Sequence, residues 1–79
     1  MAVEVKLPQW GMGMTEGTIT EWLVAVGDSV AEGDELVNIE TAKAEDVVVA
    51  PVSGVIASLH GDVDDDIPVG DVLVVIDES

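Results

Sequence analysis

An internal repeat restricts the possible fold of this chain more than any other feature of its sequence. Residues 17–40 align without a gap on residues 54–77 when the sequence is shifted by 37 positions. The shared positions include the turn dipeptides Gly33-Asp34 and Gly70-Asp71, which a valine-rich composition alone does not explain. Two copies are too few for a solenoid, which needs about three repeats to be stable. The repeat therefore predicts two similar halves that pack face to face about an approximate two-fold axis.

Six segments have the short, β-branched pattern of strands, in part with alternating apolar and polar residues. They are residues 3–7, 18–24, 35–41, 46–50, 55–59 and 72–76. Gly-Asp and Ser-Gly dipeptides separate many of them and predict turns. No window of 12 residues has a convincing helical period. The pattern predicts an all-β fold, a small flattened β-barrel or sandwich with quasi-two-fold symmetry.

Length, charge and composition limit the classes of function. Residues 1–79 are enough for one domain and too few for a second core. The net charge of −15 argues against nucleic acid and anionic membrane as partners. There is no cysteine, and the longest apolar runs are too short to span a bilayer. The N-terminus lacks the pattern of a secretory signal, so we expect a cytoplasmic protein, with the mitochondrial matrix as the alternative.

No residue pattern predicts a catalytic or metal site. His60 has no second ligand at metal-binding spacing, so we expect it in a loop or at a strand end. The run VDDDIP, residues 63–68, lacks the spacing and the terminal glutamate of an EF-hand loop. Trp10 and Trp22 are expected to pack in the core or at a sheet edge.

The segment ETAKAED, residues 40–46, contains Lys43, one of only two lysines in a chain without arginine. It lies between two predicted strands, which indicates a hairpin with Ala42 and Lys43 at its tip. The dipeptides that favour primed hairpin turns are absent, and alanine and lysine suit a type I turn. The repeat shift pairs Lys43 with Lys6, and it places Lys43 at the junction of the two halves, opposite the chain termini.

Three roles for Lys43 follow from these residues. It can be an exposed turn lysine that pairs with Glu40 or Glu45. A nucleophilic amine is disfavoured, because the anionic neighbours favour the charged ammonium. The third role is a lysine that another enzyme modifies, which fits its projection, its small flanking alanines and its acidic setting. The position at the repeat junction favours the third role.

With these features, the chain resembles the lipoyl domains of the biotinyl/lipoyl carrier family. The resemblance covers nearly the whole chain, including residues 7–56, the internal duplication and the ending VGDVLVVID. Such domains stand at the N-terminus of the acyltransferase component of 2-oxo acid dehydrogenase complexes. The resemblance implies a flattened barrel of two four-stranded antiparallel sheets. It also implies that residues 1–79 are the N-terminal part of a longer chain.

The resemblance assigns lipoic acid, in amide linkage, to Lys43. Glu40 matches the family's glutamate three positions earlier. Gly27 matches its glycine sixteen positions earlier, and the resemblance implies a role in recognition for Gly27. Ala42 departs from the aspartate that usually precedes the lysine, whereas biotinyl domains have methionine on both sides. The flanking residues at this site are Glu40, Thr41, Ala42 and Ala44.

The loop between the first two strands has a recognition role in the family, because it lies beside the lipoyl hairpin and helps the partner decarboxylase recognise the domain. Here it consists of Gly11, Met12, Gly13, Met14 and Thr15. Met12 and Met14 have two alternative roles at this stage. They can offer an adaptable apolar contact to the arm or the partner, or they can fill the end of the core.

The resemblance implies a carrier domain without catalytic residues. Its lipoyl arm would carry acyl groups and reducing equivalents between a 2-oxo acid decarboxylase, an acyltransferase core and dihydrolipoamide dehydrogenase. A lipoate ligase or lipoyl transferase would attach the group. The parent complex could use pyruvate, a branched-chain 2-oxo acid, 2-oxoglutarate or acetoin. The alternatives are a biotin carrier domain and an unmodified acidic adaptor that only binds proteins.

Overall fold

The protein forms eight strands in a computed structural model that describes residues 1–42 and 44–78. They are β1 (Ala2–Lys6), β2 (Glu16–Trp22), β3 (Ser29–Val30), β4 (Glu35–Glu40), β5 (Glu45–Val49), β6 (Gly54–Leu59), β7 (Asp66–Pro68) and β8 (Val72–Glu78). The six predicted strands are all present. The predictions missed β3 and β7, because strands of two and three residues are too short to show a period-2 pattern.

The strands form two four-stranded antiparallel sheets, in the orders β1-β8-β6-β3 and β5-β4-β2-β7. The all-β prediction and the expected flattened barrel are confirmed. The two orders correspond strand for strand, with β1 in the place of β5 and β8 in the place of β4. No helix that could span a membrane occurs in residues 1–42 or 44–78.

The core lies between the two sheets and consists of aliphatic side chains. Ile19, Ile39 and Ile76 are fully buried, and no polar or charged side chain is buried among the described residues. Strand alternation places these apolar residues inward and the carboxylates outward. The burial of aliphatic surface is therefore the main favourable contribution to folding, opposed by repulsion among exposed carboxylates.

Backbone hydrogen bonds between the halves confirm the two-fold relation at atomic detail. Gly27 N–H donates to the Ile56 carbonyl (2.8 Å), and its counterpart Asp64 N–H donates to the Ile19 carbonyl (2.7 Å). Each pair of counterparts is 37 positions apart. The repeat in the sequence is therefore a repeat of hydrogen-bonding geometry, and each half satisfies backbone groups of the other.

The repeat shift aligned Lys6 with Lys43 as equivalent positions of the two halves, and this alignment is wrong. In the strand register Lys6 opposes Val72, and its counterpart in the other half is Val49, 43 positions later. The offset changes from 43 before the loop to 37 after it, so the β1–β2 loop is six residues longer than the β5–β6 loop. The ungapped shift failed because it could not show this insertion.

The hairpin after β4 and the chain termini lie at opposite ends of the protein, as expected. β1 leads from Met1 towards Leu7, whose carbonyl accepts a hydrogen bond from the turn after β7. In that turn, Val69 N–H donates to the carbonyl of Thr15 (3.0 Å) in the long β1–β2 loop. At the other end, Glu78 N–H donates to the Met1 carbonyl (2.7 Å). The five residues of β1 separate the two ends by about 17 Å.

Candidate functional site

The β4–β5 hairpin is closed by Thr41. Its N–H donates to the Ala44 carbonyl at 2.8 Å, and its hydroxyl donates to the same oxygen at 3.0 Å. Ala42 and Ala44 are both exposed. Lys43 lies outside the described residues, and so does the predicted type I turn, which depends on it. The two bonds from Thr41 fix the base of the hairpin, and small exposed side chains stand on either side of residue 43.

The longer β1–β2 loop lies beside this hairpin and has its own internal bonds. Met14 N–H donates to the Gly11 carbonyl (3.2 Å), and Gln9 Nε2 donates to the Met14 carbonyl (3.2 Å). Gly13 has a φ of 81°, a conformation that favours glycine. The insertion is therefore a defined turn, and it breaks the two-fold symmetry at one end of the molecule.

An open groove of about 610 Å³ separates the loop from the hairpin. Its lining residues are Trp10, Gly11, Met12, Gly13, Met14, Thr15, Glu16, Thr18, Glu40, Thr41, Ala42, Ala44 and Asp46. The structure thus brings together every described hairpin and loop residue that the sequence predicted for the site. These residues are separate in sequence, and the insertion in the first half places the loop next to the hairpin.

The two methionines of the loop have different environments, so neither alternative holds for both. Met14 is half-buried and packs against the core. Gly17 lies beneath it, because a Cβ on Gly17 would be 3.6 Å from Met14 Cε. Met12 is 96% exposed at the top of the loop. Met14 therefore anchors the loop, while Met12 is available for contact with another group.

Gly27 is not part of this groove. It lies in the turn between β2 and β3, with a φ of 94°, and a Cβ there would meet no heavy atom within 4 Å. Ser29, two residues later, pairs with Val55, which in turn pairs with Asp77 near the chain terminus. Its positive φ gives a structural reason for glycine at this position. Its predicted role in recognition remains a prediction.

A row of polar side chains crosses the outer face of the hairpin sheet and was not predicted. The Thr18 hydroxyl donates to Asp66 Oδ1 at 2.6 Å, Thr18 opposes Glu40, and Glu40 opposes Glu45. Like charges directly opposite one another destabilise a sheet, so Glu40 and Glu45 repel. The sequence showed these carboxylates but not their alignment, which depends on strand register. Within the described ranges, no three His, Cys, Asp or Glu side chains are arranged to hold a metal ion.

Comparisons with known proteins agree with this geometry. Residues 3–76 match the profile of the biotin/lipoyl family, which is described as "Biotin-requiring enzyme". The chain belongs to this family.

Two relatives and one solved structure are similar over most of the chain. The dihydrolipoyllysine-residue acetyltransferase component of the pyruvate dehydrogenase complex of Corynebacterium glutamicum is 39% identical over the full chain, which covers 12% of that protein. The corresponding component of the acetoin cleaving system of Pseudomonas putida is 42% identical over 92% of the chain and 20% of that protein. The lipoyl domain of the 2-oxoglutarate dehydrogenase complex of Azotobacter vinelandii superimposes with a TM-score of 0.78 at 29% identity, covering 96% of each chain.

The chain thus groups with the lipoyl domains of its family, as the hairpin and loop residues predicted. It spans between about an eighth and a fifth of the length of these two relatives.

Proposed function

We propose that the protein is a swinging-arm carrier domain, with lipoic acid joined to the side chain of Lys43. The observation that carries this proposal is the pairing of a closed hairpin around residue 43 with an inserted loop that faces it across a groove. The equivalent end of the other half has neither, because the chain termini occupy it. The two halves therefore differ most at the β4–β5 hairpin and the loop beside it.

The described residues around position 43 fit such a group. The exposed alanines on either side leave space for an enzyme to reach a lysine amine and for a long arm to leave the surface. Met12 and Trp10 (39% exposed) offer apolar contacts beside the hairpin. When attached, a lipoyl group supplies a disulfide that can accept electrons and an acyl group. The chain itself presents the attachment point and positions the neighbouring recognition surface.

We propose further that the partners recognise this end of the domain in turn. They would be a lipoate ligase or lipoyl transferase, a 2-oxo acid decarboxylase, an acyltransferase core and dihydrolipoamide dehydrogenase. Tethering one arm to all of them converts encounters between active sites into intramolecular events at high effective concentration. Exposed charge accelerates encounter without long residence, which suits a domain that must leave each partner. We place the protein in the cytoplasm.

The domain would catalyse nothing by itself, and the parent chain would be a dihydrolipoyllysine-residue acyltransferase. The parent complex would act on pyruvate, 2-oxoglutarate, a branched-chain 2-oxo acid or acetoin. The similarity to an acetoin-system component and to a pyruvate dehydrogenase component supports this general class.

Measurement of intact mass tests the carrier proposal. The protein is expressed with lipoate and biotin both supplied, beside Lys43→Ala and a variant with the lysine moved to position 42, which combines Ala42→Lys with Lys43→Ala. We expect a lipoyl adduct on the natural sequence only, because the hairpin geometry selects the lysine position. A biotinyl adduct would show a biotin carrier. An unmodified chain would support an adaptor, and equal modification of the displaced lysine would refute selection by geometry.

A further inference from the structure

A second cleft lies between β1 and β5, an edge strand from each sheet, away from the hairpin tip. Its volume is about 310 Å³, and its lining consists of Glu4, Val5, Lys6, Pro8, Trp10, Val47, Val48, Val49 and Pro51. All of these except Trp10 form pairs 43 positions apart, the offset that relates β1 to β5. The cleft is therefore centred on the quasi-two-fold axis, with one open strand edge on each side.

The backbone of β5 presents unpaired hydrogen-bonding groups at this edge. Thr41 N–H donates to the Ala44 carbonyl, and at the other end Ala50 N–H donates to the Asp34 carbonyl (2.8 Å), so Ala44 and Ala50 face β4. Residues along an antiparallel strand alternate between facing the neighbour and facing away. The N–H and C=O groups of Glu45, Val47 and Val49 therefore point away from β4, and β5 has no other neighbouring strand among the described residues.

The two edges differ in charge at the positions that line the cleft. The outward positions of β1 are occupied by Glu4 and Lys6, and charged side chains are a usual defence of an edge strand against pairing with another chain. The corresponding positions of β5 are Val47 and Val49, and Val49 is 44% exposed. In a chain with 17 carboxylates, this part of the β5 edge thus has two neighbouring valines and no charge.

We propose that the β5 edge is a docking strand for an extended segment of a partner protein, in which valine-like residues alternate with lysine or arginine. Such a segment would add to the sheet by backbone hydrogen bonds and place apolar side chains on Val47 and Val49. Pro51 follows β5 and limits its open edge to five residues, about 17 Å. Pro8 follows β1 in the same way.

Charge determines the occupant. A second copy of this chain would bring another net charge of −15 to the same edge, which disfavours self-association. Glu45 and Asp46 stand at the hairpin end of β5, and Glu4 lines the other side of the cleft, so a basic segment is complementary. Trp10 lines both the cleft and the hairpin groove. The groove and the cleft therefore adjoin at Trp10, and a partner bound at the hairpin could extend from the groove onto β5.

A synthetic peptide tests the proposal on the unmodified protein, so the outcome is independent of lipoylation. The probe is a short capped peptide in which lysine alternates with valine, and the control replaces each lysine with glutamate. Binding is followed by amide shifts in isotope-labelled protein and by Trp10 fluorescence in a Trp22→Phe background. We expect saturable shifts of Glu45, Val47 and Val49 with the basic peptide, accompanied by slower hydrogen exchange, and no shifts with the acidic one.

The two-fold symmetry supplies a matched pair of variants. Val47→Pro removes an outward N–H from β5, whereas Glu4→Pro removes the equivalent N–H from β1. We expect Val47→Pro to weaken peptide binding about tenfold, as the loss of an edge hydrogen bond predicts. Glu4→Pro removes one exposed carboxylate beside the peptide but no hydrogen bond to it, so we expect it to weaken binding by no more than about threefold. Both variants are checked for native amide spectra, and Val49→Lys serves as a side-chain variant that leaves the backbone intact and should also weaken binding.

Several results would overturn the proposal. Equal loss with Glu4→Pro and Val47→Pro would show that β5 is not the preferred edge. Equal binding of the acidic peptide would remove the charge argument. A dimer in sedimentation experiments that Val47→Pro abolishes would identify a second copy, instead of a basic partner, as the occupant of this edge.

Discussion

Asp64 is the one described non-glycine residue with a positive φ, and its replacement by glycine should stabilise the protein. Its φ is 75°, and its two-fold counterpart is Gly27, with a φ of 94°. Both N–H groups donate to the carbonyl of an isoleucine in the other half, so the two turns make equivalent hydrogen bonds. One half therefore uses aspartate where the other uses the residue that this conformation favours.

The expected gain follows from the backbone alone. The left-handed conformation costs a residue with a Cβ roughly 1–2 kcal/mol, with aspartate at the low end, and glycine loses part of this through its unfolded-state entropy. We therefore expect Asp64→Gly to stabilise by about 0.5 kcal/mol, or about 3 °C in Tm at the unfolding entropy typical of 79 residues. Gly27→Asp should cost about the same amount, because a Cβ there meets no neighbour and only φ is penalised.

Thermal and urea unfolding of four proteins measure this effect. Asp64→Asn is the control for charge, since asparagine removes one carboxylate while keeping a side chain that tolerates positive φ. The difference in the free energy of unfolding between Asp64→Gly and Asp64→Asn measures the contribution of the backbone conformation. Failure of Asp64→Gly to exceed Asp64→Asn, together with a tolerated Gly27→Asp, would refute the equivalence of the two turns.

Three further predictions concern packing and charge. Gly54→Ala should destabilise by about 1–3 kcal/mol, because its Cβ would collide with the Asp77 carbonyl and lie 2.8 Å from Ile76 Cγ2, which urea unfolding would show. Met14→Ala should lower the free energy of unfolding by about 1–2 kcal/mol, whereas Met12→Ala, at an exposed position, should change it by less than about 0.5 kcal/mol. Equal effects of the two would contradict their different burial. The Tm of the natural protein should rise with added salt, since screening relieves repulsion at a net charge of −15, and a flat response would contradict this.

The sequence predicted the architecture well because the information was redundant. Two copies of the same strand-and-turn pattern supported each other, and the glycines at positions 33 and 70 marked equivalent turns with a φ of 92° and 93°. The alignment without gaps could not show the six-residue insertion before Gly17. Residues on the two sides of an insertion align at different offsets, and a single shift detects only one of them. The error over Lys6 has the same origin.

The composition of the site was predictable, and its arrangement was not. The loop and hairpin residues were identified from motif positions, but the separation of Met12 from Met14 depends on which of them packs over Gly17. The row that joins Thr18 to Asp66 depends on the register of a three-residue strand that the pattern did not reveal. Contacts between strands distant in sequence require the fold.

The proposed function requires that Lys43, and not Lys6, carries the lipoyl group. Digestion of lipoate-grown protein with a glutamate-specific protease isolates residues 41–45, which contain Lys43, from residues 5–16, which contain Lys6. Mass spectrometry of the two fragments should find the lipoyl adduct on Lys43 alone. An adduct on Lys6, or two unmodified fragments in the presence of an active lipoate ligase, would contradict the account.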